Sequence, residues 1–325
     1  YGLRYVAAYD EKRPGVAIPG EGYLGMPQPA ACNWYHGGFF DLQINGRSIG
    51  TTPVHSVTGR SSGERGIADF VFDTPMAIVR VRFVALAGQD ALYCQALLEP
   101  KGEVKSVRVI LRCYPSAFVS NAGRHVMTPT RDLTQGEKTE LDLAQEWWLL
   151  YYDRIYDAGY VSPTHTGVGP CAALWPGNQA SKVGFTVGGY GIDTVMDLKP
   201  QLCDFRFVFL DYKGTKNEAA QADLRGRATG LLQQLATFSF ADPSVAGFPL
   251  QQKQEEIRQM LAAMPDEQEA AANYQRWGAE LAEQLRLIQT SAAGAIMAEA
   301  NAAKTIQQWE RSLPELQLRA LLKDI

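Results

Sequence analysis

Val104-Lys105-Ser106-Val107-Arg108-Val109-Ile110-Leu111-Arg112-Cys113-Tyr114 changes side-chain character with a period of two. Val107, Val109, Leu111 and Cys113 share one face, and Ser106, Arg108 and Arg112 the other, which predicts a strand buried on one side and polar on the other. Working outward, further strands are predicted at 67–72, 78–86, 92–98, 182–188, 192–198 and 205–212. Arg80 and Arg82 share a polar face in one of them, and Asp193 and Asp197 in another. Phe205-Arg206-Phe207-Val208-Phe209-Leu210 is apolar on both faces apart from Arg206, the pattern of a strand at the centre of a sheet. Upstream, Phe39-Phe40-Asp41-Leu42-Gln43-Ile44 runs into Asn45-Gly46, a strong hairpin-turn dipeptide. Glu146-Trp147-Trp148-Leu149-Leu150-Tyr151-Tyr152 fits a buried strand or a short helix, and its aromatic content favours strand. Many strands with turn punctuation predict a mainly β chain built on a large antiparallel sandwich.

Two regions depart from this pattern. The first 35 residues are rich in Gly and Pro and read as an irregular lead-in. After Tyr212 the chain becomes rich in Ala, Gln, Glu and Leu and the period turns helical. Helices are predicted over 218–235, over 251–264, and from Pro265 along a stripe of Tyr274, Trp277, Leu281, Leu285, Ile288, Ala292 and Ile296. Ile306, Trp309 and Leu313 carry that stripe on until Pro314. The expected division is a β domain over 1–215 and a helical C-terminal region over 216–325, packed on it or self-associating.

Composition narrows the function. The 325 residues are 46% hydrophobic and 20% charged, enough apolar side chain for a real core. A formal charge of −4 leaves no cationic surplus for a phosphate backbone, so nucleic acid is not an expected partner. No apolar run reaches the roughly 18 residues that a membrane-spanning helix needs. The sequence opens on Tyr1 rather than Met, which fits a processed or trimmed chain; the expected location is secreted or periplasmic, otherwise cytoplasmic.

Five cysteines leave at least one unpaired within the chain. A hairpin over 92–114 turning at Lys101-Gly102 would put Cys94 beside Val109. Cys113 would then lie beyond the bridging limit of about 7 Å, so no disulfide joins the two. CxxC and CxxH spacings are absent, and so are a nucleophile elbow, a P-loop and a dinucleotide fingerprint. No metal and no cofactor is expected.

Three constellations remain. Aromatic rings at Trp34, Tyr35 and His36, at Trp148 and Tyr152, and at Trp175 suit the C–H face of a sugar, with Trp34 and Trp175 the best placed for exposure among Gly, Pro and Asn. Arg80, Arg82, Arg108 and Arg112 with Asp193 and Asp197 form a charged strand face. It suits the carboxylate or sulfate of an acidic glycan, or equally a set of cross-strand ion pairs. His165, between Pro163 and Pro170, suits a general acid or base working with Asp193, or a loop histidine that only donates hydrogen bonds. Asp153 with Asp157, or Asp193 with Asp197, are carboxylate pairs whose spacing alone does not establish glycoside hydrolysis.

The hairpin Gly37-Gly38-Phe39-Phe40-Asp41-Leu42-Gln43-Ile44-Asn45-Gly46, the segment 92–114 ending in Tyr114-Pro115, and the closing strands at 183–187 and 205–212 resemble the galactose mutarotase-like supersandwich. The resemblance covers about residues 37 to 212 and implies a carbohydrate-associated domain. It also implies a His general acid and a Glu general base on the concave sheet. His165 stands in for the first, but the late strands offer Asp193 and Asp197 and no Glu, which counts against ring-opening catalysis. The leading expectation is therefore a protein that binds a glycan or small sugar on its concave sheet through Trp34, Tyr35, His36, Arg108, Arg112, Trp148, Tyr152, His165 and Trp175. The alternatives are a sugar epimerase, glycoside hydrolase or lyase using His165 with Asp193, and an assembly protein that self-associates through the C-terminal helices.

Overall fold

Val107, Val109, Leu111 and Cys113 turn inward as the alternation predicts, and the computed structural model shows what they meet. It describes residues 1–10, 12–28, 38–113, 123–153, 169–189, 191–212, 214–290 and 294–323. Two antiparallel sheets face each other. One has eight strands in the order β1 (Gly2–Tyr9), β2 (Ala17–Gln28), β3 (Phe40–Ile44), β9 (Val107–Cys113), β16 (Ile192–Leu198), β15 (Ala180–Thr186) and β12 (Lys138–Glu140), with β4 (Arg47–Ser48) paired to β3. The other has nine, in the order β11 (Asp132–Thr134), β10 (Arg124–Met127), β13 (Trp148–Asp153), β14 (Cys171–Leu174), β17 (Asp204–Asp211), β8 (Ala91–Pro100), β7 (Ala77–Leu86), β6 (Arg65–Asp73) and β5 (Val54–Ser62). Their inner faces share one core, in which Phe40 stacks on Phe207 at 5.9 Å and Phe39 meets Phe209 edge-on at 5.1 Å.

Asn45 and Gly46, at φ 51° and 80°, make the tight β3–β4 turn that their sequence predicts. The segment 92–114 is not a hairpin. β8 pairs with β7 and β17, while β9 pairs with β3 and β16 in the opposite sheet. Both strands turn an apolar face to the same interior, so the linker between them crosses from sheet to sheet. Asn45 anchors that crossing: its Oδ1 accepts from the amides of Lys105 at 2.7 Å and Ser106 at 3.1 Å. Cys94 and Cys113 are both buried, and no disulfide joins them to each other.

The lead-in is not irregular either, because β1 and β2 pair along most of their length. Backbone pairing needs no side chain, and here glycine assists it. A Cβ on Gly22 would lie 2.5 Å from the Tyr5 ring, so glycine is what lets that ring lie across the strand.

β17 is central, as its composition predicts. Phe205, Phe207 and Phe209 join the inter-sheet core, while Val208 and Leu210 point out of the sandwich. The outward side is covered by α1 (Asn217–Thr237), whose Ala220, Leu224, Ala228, Leu231 and Leu235 recur every three or four residues and are all buried. Beyond α1, Phe238 stacks on Tyr93 at 4.0 Å, and the Phe240 carbonyl accepts from Arg82 at 2.6 Å. The first compact unit accordingly runs from Tyr1 to Phe240, past the change of composition at 215, because the first helix of the tail belongs to the β unit.

The second unit, Ala241–Ile325, is helical: α2 (Pro243–Ala246), α3 (Leu250–Ala262), α4 (Gln268–Gln289) and α5 (Ala295–Lys323). Tyr274 meets Trp309 edge-on at 4.9 Å and shares a 2.9 Å hydrogen bond with Ser312. The expected stop at Pro314 does not occur. α5 continues through it to Lys323, and Leu316 beyond it is buried among the helices. An interior proline forfeits one helical hydrogen bond. Burial of Leu316 and the Arg319–Glu267 ion pair at 2.7 Å favour continuing the helix past it.

Within the β unit, Glu146 ties down the loop before β13. It is 1% exposed and accepts from Arg131, Thr128, Thr130 and the amide of Asp142. Burial pushes its carboxyl up, but those hydrogen bonds outweigh burial and hold it down at about 2. A carboxyl depressed in the folded state contributes stability that is complete above its unfolded value and is lost as pH falls through the folded one.

Two predictions follow from these contacts. Leu224→Ala should lower the unfolding free energy by about 2–4 kcal/mol, whereas the exposed Gln233→Ala should stay within about 0.5 kcal/mol, both read by urea denaturation. Glu146→Gln should cost about 2–3 kcal/mol at neutral pH, and the gap to the wild type should close as pH falls from about 4.5 toward about 2.

Candidate functional site

Strand alternation places Arg108, Ile110 and Arg112 of β9 on the outer face of the eight-stranded sheet. Antiparallel pairing then lays β16 beside them in strict register: Arg112 faces Asp193, Ile110 faces Val195 and Arg108 faces Asp197. β15 continues two of these rows, with Gly184 beside Val195 and Lys182 beside Asp197, and β12 adds Glu140 beside Gly184. The result is three rows across the strands. The middle row runs from Asp41 of β3 through Ile110, Val195 and Gly184 to Glu140, so its apolar or bare stretch is flanked by two carboxylates.

The outer rows are ion pairs. Arg108 Nε lies 2.7 Å from Asp197 Oδ1, and Arg112 Nε lies 3.2 Å from Asp193 Oδ2. Lys182 Nζ lies 2.8 Å from Glu140. Strand geometry sets the scale. Residues four apart on one strand are separated by roughly 13 Å, and three neighbouring strands span about 10 Å. An open groove of about 700 Å³ lies over this patch, within the range of small-molecule sites. Gly184 keeps its floor low: a Cβ there would approach the Thr139 carbonyl to 3.0 Å.

The expected residues separate into groups. Arg108, Arg112, Asp193 and Asp197 are brought together, as pairs. Arg80 and Arg82 are not part of that face. They lie on the nine-stranded sheet and are buried, Arg82 at 1% exposure with two bonds to Asp69 of 2.6 and 2.7 Å, and Arg80 bonded to Gln95 at 3.0 Å. Their alternation is the same, but the segment ending at Phe240 returns over Arg82 and removes it from solvent.

Two aromatic expectations are also corrected. Trp175 is fully buried in the inter-sheet core, despite its Pro and Gly neighbours, because it continues the inward face of β14. Trp148 faces outward from the nine-stranded sheet into the apolar cluster under α1, so no ligand reaches it. Trp34, Tyr35, His36 and His165 lie outside the described residues.

Tyr152 takes part in a second polar cluster, at the edge of the nine-stranded sheet. Its hydroxyl donates to Asp132 Oδ2 at 2.5 Å and lies 3.2 Å from His125 Nδ1, and the two rings stack at 4.8 Å. Burial and Asp132 together push the phenol well above its usual range, so Tyr152 holds its proton and serves as a donor. Next to it on β13, Asp153 is buried against Arg124 at 3.3 Å; burial outweighs the arginine and raises its carboxyl to about 6. Asp153 Oδ2 has no hydrogen-bond partner. Among the described residues no group of three or more His, Cys, Asp or Glu has the disposition to hold a metal ion.

The residues that sequence reasoning passed over at the groove are Val195, Gly184, Lys182 and Glu140. Lys182 and Gly184 were within reach, since they lie on one face of a strand that the pattern predicts. Neither aliphatic floor residues nor a glycine carry a chemical signature of their own.

No known protein family matches the chain, and no curated protein matches its sequence. Among solved structures, the alpha-N-acetylgalactosaminidase NagBb of Bifidobacterium bifidum is similar over 71% of this chain and 38% of its own, at 13% identity and a TM-score of 0.42. The heparan sulfate lyase HepC of Pedobacter heparinus is similar over 53% and 24%, at 7% identity and a TM-score of 0.33. The alpha-galactosidase AgaB of Geobacillus stearothermophilus is similar over 57% and 31%, at 13% identity and a TM-score of 0.33. The chain thus spans well under two thirds of the length of each. Likenesses this distant assign neither a family nor an activity.

Proposed function

We propose that this chain is a carbohydrate-binding sandwich of the galactose mutarotase-like kind, and that the groove on the outer face of its eight-stranded sheet is where the glycan lies. One observation supports the reading: Val195 and Gly184 line the groove between two charged rows, Arg108 paired with Asp197 on one side and Asp193 paired with Arg112 on the other. A sugar ring has the matching surface. Its C–H face is apolar, and its rim of hydroxyls both donates and accepts. A carboxylate has about four acceptor positions and a guanidinium five N–H donors, so the Arg108–Asp197 pair keeps capacity for a ligand after satisfying itself. Hydrogen bonds to charged groups contribute about 1.5–3 kcal/mol each. In this reading the floor is aliphatic rather than aromatic, which suits weak and broad recognition.

The test is a titration of the full chain with a panel of oligosaccharides, followed by saturation-transfer NMR. Val195→Glu puts a charge on the floor at a half-buried position, and should weaken the glycans that bind at least tenfold, about 1.4 kcal/mol, with the melting temperature little changed. Equal binding by the variant, or no glycan bound by the wild type, overturns the reading. The same samples test the catalytic alternative. If His165 works with Asp193, His165→Ala abolishes the release or epimerisation of sugar seen in the spectra; under the binding reading no product forms with either protein.

A further inference from the structure

The ion pairs on the groove also determine which glycans it takes. We infer that Asp193 and Asp197 are specificity residues that turn acidic sugars away and leave the groove to neutral, hydroxyl-rich ones. The inference rests on the glycan reading above and adds the charge of the ligand to it.

The argument begins with the charge count. The groove is lined by three cations, Arg108, Lys138 and Lys182, and three anions, Glu140, Asp193 and Asp197. Those six charges balance, and Arg112, on the same face but outside the lining, adds a fourth cation. The two arginines able to grip a carboxylate or sulfate are each covered by the aspartate directly opposite in register, Arg108 by Asp197 at 2.7 Å and Arg112 by Asp193 at 3.2 Å. Nε, one edge of the guanidinium fork, is the atom engaged in both cases.

An anionic ligand approaching either arginine therefore meets a carboxylate within a few ångströms. Separating the pair is itself inexpensive, because both are partly exposed and water screens such pairs. The obstacle is what remains: the displaced aspartate stays on the groove wall beside the new anion, and two like charges are held together in a partly sheltered site. A hydroxyl meets no such conflict. It donates to the aspartate and accepts from the arginine without separating them. Selection against acidic sugars thus comes from a repulsive element built next to the attractive one.

The aspartates also explain why the two arginines on this face do not make an anion site. Positive charge on a sheet is a signal for sulfate or uronate only where it is unpaired. Here the pairing is set by strand register, which neither side chain can leave.

The experiment compares matched probes that differ in one group: methyl glucoside with methyl glucuronide, and methyl galactoside with methyl galacturonide. The wild-type chain should bind the neutral member of each pair at least about tenfold more tightly, with affinity nearly unchanged between about 20 and 300 mM salt. Asp193→Asn with Asp197→Asn keeps shape and hydrogen bonding while removing the carboxylate charge that faces each arginine. It should raise uronide affinity at least about fivefold, lower neutral affinity, and make uronide binding fall with salt. Both positions are partly exposed, so the double variant should keep its circular dichroism spectrum and melting temperature. Uronides bound as well as the neutral sugars by the wild type, or no gain of uronide binding in the double variant, overturns the charge selection and leaves the glycan reading standing. Binding of neither class, by these probes or by the oligosaccharide panel, overturns both.

Discussion

Everything in the β unit follows from an inequality between its two sheets. The eight-stranded sheet is apolar on one face, so burying that face against its partner satisfies it. The nine-stranded sheet carries strands such as β17, apolar on both faces, so one partner is not enough. Water cannot be left against Val208, Leu210, Trp148 and Tyr93, and α1 together with Phe238 beyond it covers them. Each buried Leu of that helix contributes about 1.5–3 kcal/mol, which makes the cover part of the fold rather than an attachment to it.

The inequality also distributes the chemistry. Covering the nine-stranded sheet makes its outward polar groups structural: Arg82 is used up by Asp69 and the Phe240 carbonyl, and Arg80 by Gln95. The eight-stranded sheet has no such second apolar face, so its charged rows remain on a surface where a ligand can meet them. Arginines with the same alternation thus have opposite fates on the two sheets. Burial decides which of them hold the fold together and which are available for recognition.

Period-two alternation made much of this legible. It assigned Arg108, Arg112, Asp193 and Asp197 to polar faces and Phe205, Phe207 and Phe209 to a core, because the face of a strand residue depends only on its parity. Asn45-Gly46 was legible because its turn needs positive φ at both positions. Pairing partners were not legible, since parity does not say which sheet a strand joins. The segment 92–114 therefore reads as a hairpin, although its halves lie in different sheets. Burial by distant chain was equally hidden: nothing near Arg82 announces Phe240, and nothing near Trp175 announces the opposite sheet. The lead-in failed for another reason. Its strands are held by backbone pairing and by a ring lying over Gly22, and glycine is read as an interruption when it is serving as a berth. At the groove, charged residues stood out and the bare floor did not.

The crossing between β8 and β9 has a further effect, on the order in which the chain can assemble. β8 finds one neighbour at once in β7, but its other side waits for β17, and Phe207 is over a hundred residues beyond Cys94. β9 likewise waits for β16. The eight-stranded sheet cannot be completed until synthesis has passed Leu198, nor the nine-stranded one until it has passed Asp211, so the β7–β8 ribbon must persist for most of that time with apolar surface uncovered. Pairings this remote make folding slow and leave nascent chains open to association. α1 emerges directly after β17, so the last strand and its cover reach the waiting ribbon almost together.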